Sequence, residues 1–582
     1  MRDWLMTFAR RYQRDGILAV ICALLYTVTL QAPPALSGLF VNRVLRGHDI
    51  HMLWPIIAAG IFIAAVAGVF GFGESYLSAR MGQGVLNQMW EALYTHFTDL
   101  PYSYYDEVQT GQLISRLISD INWVRMFFMN FFSMGTQVAF TIIFATALIF
   151  AYDWKLGLIL VVLLPLLYLV VHLFDQKVRP AWREVRAQFA VMTTHLNENI
   201  AGVRVVKAFG QDERESRRFD STLDALFERN IDATRLWSTF YPLFDLTGGV
   251  FIVVVFLYGG WQTIHGQLSI GALVAISGYV LLLVQPLRQI GMIINTMAQA
   301  VAAGQRLYEL AEVKSDLPLP AHPVRPARVE GSLTFDHVSL TYPSTGQTVL
   351  RDIDFHVESG RSVAMAGPTG SGKTSIVALI PRLYDASQGR VLVDGIDVRE
   401  WDPVYLRRHI GLVLQETFLF SASVHDNIAF GRPDATREQV MRAAELAQAA
   451  EFIEGMPYGY EQLIGERGIG LSGGQRQRIA IARALLVDPA IVILDDATAS
   501  VDLETEAAIQ LGMKNLLKGR TAIVVAHRLS SLKAADEILV IGEGRIVQRG
   551  SHDRLVEHAG LYRDVYDIQY RDQEQVRASS AS

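Results

Sequence analysis

Apolar residues divide the chain into two unlike halves. Six long stretches that are nearly free of charge precede residue 300, whereas the remainder has the polarity of a globular protein. The six stretches are Ile17–Val41, Ile56–Phe72, Phe127–Ala151, Leu156–Phe174, Leu243–Trp261 and Ile270–Val284. About 20 apolar residues in a helix cross the hydrocarbon core of a bilayer. The pattern predicts six transmembrane helices rather than six buried core helices of a large soluble protein.

Basic residues set the expected orientation of these helices. Four arginines precede the first stretch: Arg2, Arg10, Arg11 and Arg14. They predict a cytoplasmic N-terminus, and an even number of crossings returns the chain to the cytoplasm. The first stretch is too long for a signal peptide. Arg43 and Arg46, on the predicted outer loop, run against this charge bias.

Two connections on the cytoplasmic side are long, charged and helical in pattern. Glu74–Arg125 and Asp175–Arg235 are predicted to extend the membrane helices tens of ångströms beyond the bilayer. Breaks are expected at Leu100-Pro101 and near Gly202, where each helix pair turns.

The second half reads as a separate α/β domain. A proline-rich segment, Val313–Arg328, is typical of a linker, and strand-like runs then alternate with helix-like runs. We therefore expect a six-helix transmembrane domain at 1–312, a linker at 313–330, a mostly parallel α/β domain at 331–570 and a polar tail at 571–582.

Composition excludes several classes of protein. With 51% apolar and only 19% charged residues, the chain is neither disordered nor a coiled coil. The single cysteine, Cys22, excludes an intramolecular disulfide framework and a cysteine-rich zinc module. A net charge of −6 offers no reason to expect nucleic-acid binding.

A phosphate-binding loop is predicted in the second half. The run "GPTGSGKTS" follows an apolar strand and opens a helix, which is the context that distinguishes such a loop from a chance glycine-rich turn. Its residues are Gly367, Pro368, Thr369, Gly370, Ser371, Gly372, Lys373, Thr374 and Ser375. Backbone N–H groups and Lys373 would hold nucleotide phosphates, and the Thr374 hydroxyl would ligate Mg²⁺. The expected cofactors are ATP and Mg²⁺.

Two further motifs accompany the loop. The strand "AIVILDD" ends in Asp495, placed to hold Mg²⁺, and Asp496, placed to act as a general base. The run "LSGGQ" heads a helix, where it could bind an anion or could be an ordinary serine N-cap. Its residues are Leu471, Ser472, Gly473, Gly474 and Gln475.

Together these motifs resemble those of ATP-binding-cassette exporters, as one half-transporter with fused membrane and nucleotide-binding domains. The resemblance implies that "LSGGQ" binds the γ-phosphate of ATP held by a second subunit. It implies that Tyr342 stacks on adenine, that Gln415 contacts Mg²⁺ and the attacking water, and that His527 contacts the γ-phosphate. It places Asp502 in the loop "ASVD", whose usual first serine is alanine here, and it likens "GERG" at Gly465–Gly468 to an exporter-specific loop.

The same resemblance identifies coupling segments and an unusual catalytic position. Segments starting at Leu100 and Asn197 resemble the intracellular turns that press on the nucleotide domains. The family's catalytic glutamate is Asp496 here, and a retracted carboxylate predicts slow hydrolysis at this chain's own ATP site. Such an aspartate favours a heterodimer with a second half-transporter, and a homodimer with two weakened sites is the alternative.

The expected substrate is an amphipathic or lipophilic solute, taken from a bacterial inner membrane. Asp245, near the start of the fifth stretch, could attract cationic solutes or could simply lie at the cytoplasmic interface. The run Arg125–Gly135 is rich in Phe and Met, which suit an adaptable lining, although lipid contact explains most of it equally well. A homodimeric lipid exporter and an ATP-binding regulatory subunit are the alternative functions.

Overall fold

A computed structural model describes residues 1–108, 110–415, 417–465, 468–495, 503–526 and 532–568. The chain forms two compact units. The first contains Met1–Phe97 and Leu113–Glu312, and the second contains Thr98–Gln112 together with the chain from Val313 onward. The short segment Thr98–Gln112 therefore groups with the α/β unit, although in sequence it interrupts the helical region.

Helices build the first unit. In chain order they are α1 Arg2–Arg10, α2 Gln13–Leu30, α3 Ala32–Phe40, α4 Leu53–Asp99, α5 Tyr102–Glu107 (which belongs to the second unit), α6 Thr110–Ser115, α7 Ile121–Asn130, α8 Thr136–Tyr152, α9 Trp154–Ala201, α10 Val203–Ala208, α11 Asp212–Val254, α12 Gly260–Ile264 and α13 Ile270–Ala311. Wider π-helical turns continue four of these helices at Val41–Arg46, Arg116–Asp120, Phe131–Gly135 and Val255–Gly259.

The predicted helical transmembrane region is confirmed, since every apolar stretch lies within these helices. Among the described residues, four helical regions are long and apolar enough to cross a membrane: Gln13–Arg46, Ile50–Asp99, Leu113–Tyr152 and Asp212–Ile264. The fourth and sixth predicted stretches lie in α9 and α13, whose described apolar parts are the shorter segments Trp154–Leu163 and Ile270–Leu283.

The predicted long helical extensions and their breaks are present in the structure, whereas their cytoplasmic side stays a prediction. Helices α4 and α9 contain 47 and 48 residues, or about 70 Å each at 1.5 Å per residue, which is more than twice a bilayer core. Helix α4 ends at Asp99, and Pro101 precedes α5 in an extended conformation. Helix α9 ends at Ala201, and Gly202 separates it from α10, which starts at Val203.

A glycine contact joins α3 to the first turn of α13. A β-carbon on Gly271 would lie 2.0 Å from the carbonyl oxygen of Gly38, so only glycine permits this approach of α3 to α13. The Asn42 side chain donates to Ser269 Oγ at 3.0 Å and accepts from the Gly271 N–H at 2.8 Å. These bonds pair polar groups of the two helices with each other.

The second unit contains two sheets. Its strands are β1 Leu333–Thr341, β2 Thr348–Val357, β3 Ser362–Ala366, β4 Gln388–Val393, β5 Ile396–Asp397, β6 Ile410–Val413, β7 Ile491–Asp495, β8 Thr521–Val525, β9 Glu537–Gly542 and β10 Arg545–Gly550. An antiparallel sheet has the order β2-β1-β4-β5, and a mostly parallel sheet has the order β10-β9-β3-β8-β7-β6. The predicted α/β class is therefore confirmed.

Burial patterns explain which sheet each strand joins. Strands β7 and β8 are buried at every position, as parallel strands covered on both faces are. Strand β1 instead alternates buried positions with positions that are at least partly exposed, and it pairs antiparallel with β2 and β4. The helices of this part are α14 Lys373–Leu379, α15 Pro403–Arg408, α16 Val424–Ala429, α17 Arg437–Leu446, α18 Ala450–Glu454, α19 Gly473–Val487, α20 Leu503–Leu517 and α21 His552–Glu557.

The proline-rich segment is anchored to the α/β unit. Val324 forms a parallel bridge with Trp401, and the Arg325 guanidinium donates to Asp402 at 2.5 and 2.9 Å. The Pro318 carbonyl accepts from Arg382 at 2.8 Å. Composition alone suggested a linker, whereas these bonds hold the segment along the surface of the domain.

Candidate functional site

Four parallel strands end at one edge of the mostly parallel sheet. Strand β3 pairs with β8, β8 with β7 and β7 with β6, in registers that set Met365 and Asp495 beside Val525, and Val413 beside Leu494. Polar groups that follow these strand ends therefore meet at one edge, which is where open α/β sheets bind ligands. The phosphate loop, Asp495 and Gln415 all follow or end strands of this set.

The backbone of the predicted phosphate loop requires glycine at specific positions. Gly370 and Gly372 have φ angles of +80° and +102°, in the region that favours glycine. A β-carbon on Gly367 would lie 2.2 Å from the carbonyl oxygen of Ile541, and one on Gly372 would lie 2.6 Å from the Leu350 side chain. Helix α14 starts at Lys373 and therefore includes the last three residues of the motif. A strand and a helix thus flank the loop, as the sequence predicts.

Lys373 lies folded over the loop. Its side chain is buried, and its ammonium donates to the carbonyl oxygens of Gly367 at 2.9 Å and Pro368 at 2.8 Å. The ammonium is therefore held among the backbone groups that would surround a phosphate. Its charge favours an anion at that position.

Thr374 and Asp495 form a pair of oxygen ligands suited to a hard cation. The Thr374 hydroxyl donates to Asp495 Oδ2 at 3.4 Å, and Asp495 is buried at the end of β7. Carboxylate and hydroxyl oxygens are the donors that Mg²⁺ accepts, usually with waters completing its shell. The residues present fit the Mg²⁺–ATP expected from the sequence.

Tyr342, the predicted adenine-stacking residue, contacts both the loop helix and a second tyrosine. Its hydroxyl shares a hydrogen bond with Ser375 Oγ at 2.9 Å. Its ring meets the Tyr384 ring edge-on, with centroids 5.1 Å apart and planes at 88°. Tyr342 remains partly exposed.

Tyr384 also contacts the short helix α5, which carries the first predicted coupling segment. Its hydroxyl donates to the Asp106 carboxylate, and its ring lies 5.9 Å from that of Tyr102. Burial, and then the hydrogen bond to Asp106, raises the pKa of Tyr384, so the hydroxyl stays protonated near neutral pH. No local pattern in the sequence marks Tyr384, so it is absent from the predicted site residues.

The run "LSGGQ" forms the N-terminus of α19. Ser472 Oγ accepts from the Gln475 N–H at 3.2 Å, and the Gln475 side chain accepts from the Ser472 N–H at 2.9 Å, which is a capping box. The N-cap interpretation of Ser472 is therefore confirmed. Ser472 and Gly473 are exposed, so a ligand can still approach this helix end.

The remaining predicted site residues are either exposed or outside the part of the chain that the structure describes. Gln415 is exposed two residues after β6, and Asp245 is exposed on α11 within an apolar helical region of the first unit. Asp496, Asp502 and His527 lie outside the described residues, as do residues 466–467 of "GERG". The structure thus brings together the phosphate loop, Tyr342 and Asp495.

Comparison with known proteins gives matches along most of the chain. Residues 17–287 match the ABC transporter transmembrane region, and residues 350–499 match the ABC transporter domain. An uncharacterized ABC transporter ATP-binding protein of Bacillus subtilis, YknU, is 37% identical over 96% of each chain. An ATP-dependent lipid A-core flippase of Syntrophus aciditrophicus is 33% identical over 98% of this chain and 94% of its own length. The putative multidrug export ATP-binding/permease protein YgaD of B. subtilis is 33% identical over 97% of this chain and 98% of its own.

Proposed function

Since the chain belongs to the ABC transporter family as a half-transporter that couples ATP hydrolysis to transport, we propose that it exports amphipathic or lipophilic solutes from a bacterial inner membrane. The observation that carries the proposal is one chain that joins a helical transmembrane region to a glycine loop with Lys373, Thr374 and Asp495 at one sheet edge. The relatives named as lipid flippase and multidrug exporter support this substrate class.

The proposed nucleotide site assigns each described residue a separate role. Lys373 and the loop N–H groups bind phosphate oxygens, Thr374 and Asp495 hold Mg²⁺, and Tyr342 packs on the base. Bound Mg²⁺ supplies charge compensation for the reacting phosphate. Gln415, Asp496 and His527 orient or activate the attacking water.

We further propose a heterodimer. Asp496 carries one methylene fewer than the glutamate of the family pattern, which retracts its carboxylate by about 1.5 Å, and an error of about 1 Å can lower a rate roughly 100-fold. The "LSGGQ" run of this chain is complete and would serve the partner's site. A homodimeric lipid exporter is the second candidate, supported by relatives named as lipid A-core flippases.

Transport in inside-out vesicles tests the export proposal. Vesicles containing the chain, alone or with a coexpressed second half-transporter, should accumulate a fluorescent lipophilic solute when ATP and Mg²⁺ are added. The same vesicles without added ATP are the control for ATP dependence. ATP hydrolysis without movement of any lipophilic probe or lipid, with either composition, would favour a regulatory subunit and contradict export.

Purification of the chain alone tests the heterodimer. Little ATPase activity is expected from the single polypeptide, and addition of the partner should raise it. Brisk turnover by the purified chain without a second polypeptide would establish the homodimer instead.

A further inference from the structure

The first unit contains a groove that has no role in the proposed transport function. It has a volume of about 770 Å³ and lies between α2 and α3 on one side and the outer part of α4 on the other. We call it the α3–α4 groove. Leu36 and Phe40 of α3 face Gly60, Ala64 and Gly68 of α4 across it. Its lining is mainly apolar, with hydroxyl groups from Tyr26, Thr29 and Ser37, and all of it belongs to helical regions long and apolar enough to cross a membrane.

The shape of the groove follows from small residues on one face of α4. Gly60, Ala64, Gly68 and Gly71 recur at helical spacing and all line it. A β-carbon on Gly60 or Gly68 would meet no atom within 4 Å, whereas one on Gly71 would lie 3.1 Å from the Tyr26 ring. The groove is therefore open along its floor and narrows at its inner end. From Ile56 to Gly71 it is about 22 Å long at helical rise, which accommodates one extended hydrocarbon chain.

Charge at the outer end identifies the other half of the ligand. The helical turn Val41–Arg46 continues α3 past the groove, whose last lining residue on this side is Val41. Arg43 and Arg46 are exposed, and neither forms an ion pair with a carboxylate in the part of the chain that the structure describes. Guanidinium groups bind phosphate oxygens in pairs of hydrogen bonds. These are also the two arginines that run against the charge bias expected of an outer loop.

Energetics indicate which part of the ligand decides affinity. An acyl chain gains no hydrophobic free energy by leaving other lipid tails, so only fit and the headgroup can distinguish a bound lipid from its neighbours. Arg43 and Arg46 follow Val41, the last groove residue on this side, by two and five residues, and their charges favour an anionic headgroup together with a chain that fits.

We propose that the α3–α4 groove binds one anionic phospholipid of the outer leaflet, with an acyl chain along the glycine face of α4 and the phosphate on Arg43 and Arg46. The lipid remains bound through the transport cycle and is distinct from the exported solute. The site thus goes beyond the proposed export function and would stand if a different solute were exported.

Native mass spectrometry of the full transporter tests the headgroup. Delipidated protein is titrated with phosphatidylglycerol or with phosphatidylcholine of the same acyl chains. One tightly retained phosphatidylglycerol per copy of this chain is expected, with at least tenfold weaker retention of phosphatidylcholine. The double variant Arg43→Ala/Arg46→Ala should lose this preference.

The control is the double variant Arg10→Ala/Arg11→Ala. It removes two exposed charges near the start of α2, and it should keep the preference for phosphatidylglycerol. Equal retention of both lipids by the wild type, or an unchanged preference in the Arg43/Arg46 variant, would overturn the proposal.

A second variant tests the groove itself. Gly68→Leu places a side chain in the open floor and should reduce lipid retention at least tenfold, while Gly291→Leu, at an equally open exposed glycine of α13, should not. Retention by Gly68→Leu at the wild-type level would contradict the site. Two other occupants of the groove would also overturn the proposal. If the groove holds the exported lipid, ATP and Mg²⁺ should release that lipid. If a helix of the partner subunit fills the groove, the assembled dimer should retain no lipid there.

Discussion

At the residue scale, the proposed site gives two neighbouring aspartates at the end of β7 different roles. Thr374 and Asp495 lie 3.4 Å apart because β7 ends beside the loop that follows β3, with β8 between them. Asp496 is the next residue in the chain. In the proposed site Asp495 would hold Mg²⁺ and Asp496 would act as the base.

Substitution of Thr374 tests the metal site. Thr374→Val keeps the shape of the side chain and removes its hydroxyl, so we expect Mg²⁺-dependent ATP hydrolysis to fall about tenfold or more. Thr374→Ser keeps the hydroxyl and should retain most of the activity. Equal activity of the valine and serine variants, measured over a Mg²⁺ titration, would show that this oxygen does not bind the metal.

Lengthening of Asp496 tests the catalytic position. Asp496→Glu should raise ATP hydrolysis by roughly 10- to 100-fold, because the added methylene moves the carboxylate toward the attacking water. Single-turnover hydrolysis measures the chemical step directly. Asp496→Asn, which removes the base without changing the length, is the control and should be slower than the wild type. A glutamate variant no faster than the wild type would rule out retraction as the reason for a slow site.

At the scale of elements, α5 belongs with the nucleotide-binding part of the chain. Tyr384 contacts both Tyr342 and Asp106, and the Ser103 hydroxyl donates to Asp316 at 2.8 Å. A chain of contacts therefore leads from the predicted base-binding residue to the predicted coupling segment. Packed side chains of this kind can carry a rigid-body change from one element to another.

Removal of one hydroxyl tests that chain of contacts. Tyr384→Phe keeps the ring and deletes the hydrogen bond to Asp106, so we expect ATP hydrolysis to persist while transport per ATP falls several-fold. Tyr460→Phe is the matched control, because the buried Tyr460 hydroxyl has no hydrogen-bond partner among the described residues. Unchanged transport per ATP in Tyr384→Phe would contradict a role in coupling.

The contact between α3 and α13 gives a second prediction at this scale. Gly271→Ala would force a β-carbon to 2.0 Å from the Gly38 carbonyl oxygen, and relief of such overpacking costs about 1–3 kcal/mol. The thermal unfolding midpoint in detergent should fall by several degrees. Gly291→Ala on the same helix, where a β-carbon meets no atom within 4 Å, should leave the midpoint within about a degree. Equal midpoints for the two variants would show that the helices separate without cost.

For the whole molecule, the central question is which ATP site each motif serves. If "LSGGQ" acts on the partner's nucleotide, as the family resemblance implies, then the phosphate loop and Ser472 of this chain belong to two different sites. In a homodimer the two sites are equivalent. In a heterodimer only one of them would contain Asp496.

Paired variants of this chain distinguish the two assemblies. Ser472→Asp keeps a residue that can cap α19 but sets a negative charge beside the γ-phosphate, which should repel it. In a heterodimer we expect Ser472→Asp to remove nearly all steady-state ATPase activity and Lys373→Ala, at the slow site, to remove much less. Equal losses would indicate a homodimer. Binding of a fluorescent ATP analogue to both variants checks that each still folds.

The sequence by itself determined the helical transmembrane region, the α/β class and the phosphate loop. Each rests on a local property: the length of an apolar run, the breaks at Pro101 and Gly202, or the glycine spacing around Lys373. The tertiary structure alone decided that β1 joins an antiparallel sheet, that the proline-rich segment is anchored, and that Tyr384 lies between Tyr342 and Asp106. It also revealed the α3–α4 groove. These features depend on contacts between residues far apart in the chain, and no local pattern of residues encodes which distant partner a side chain will meet.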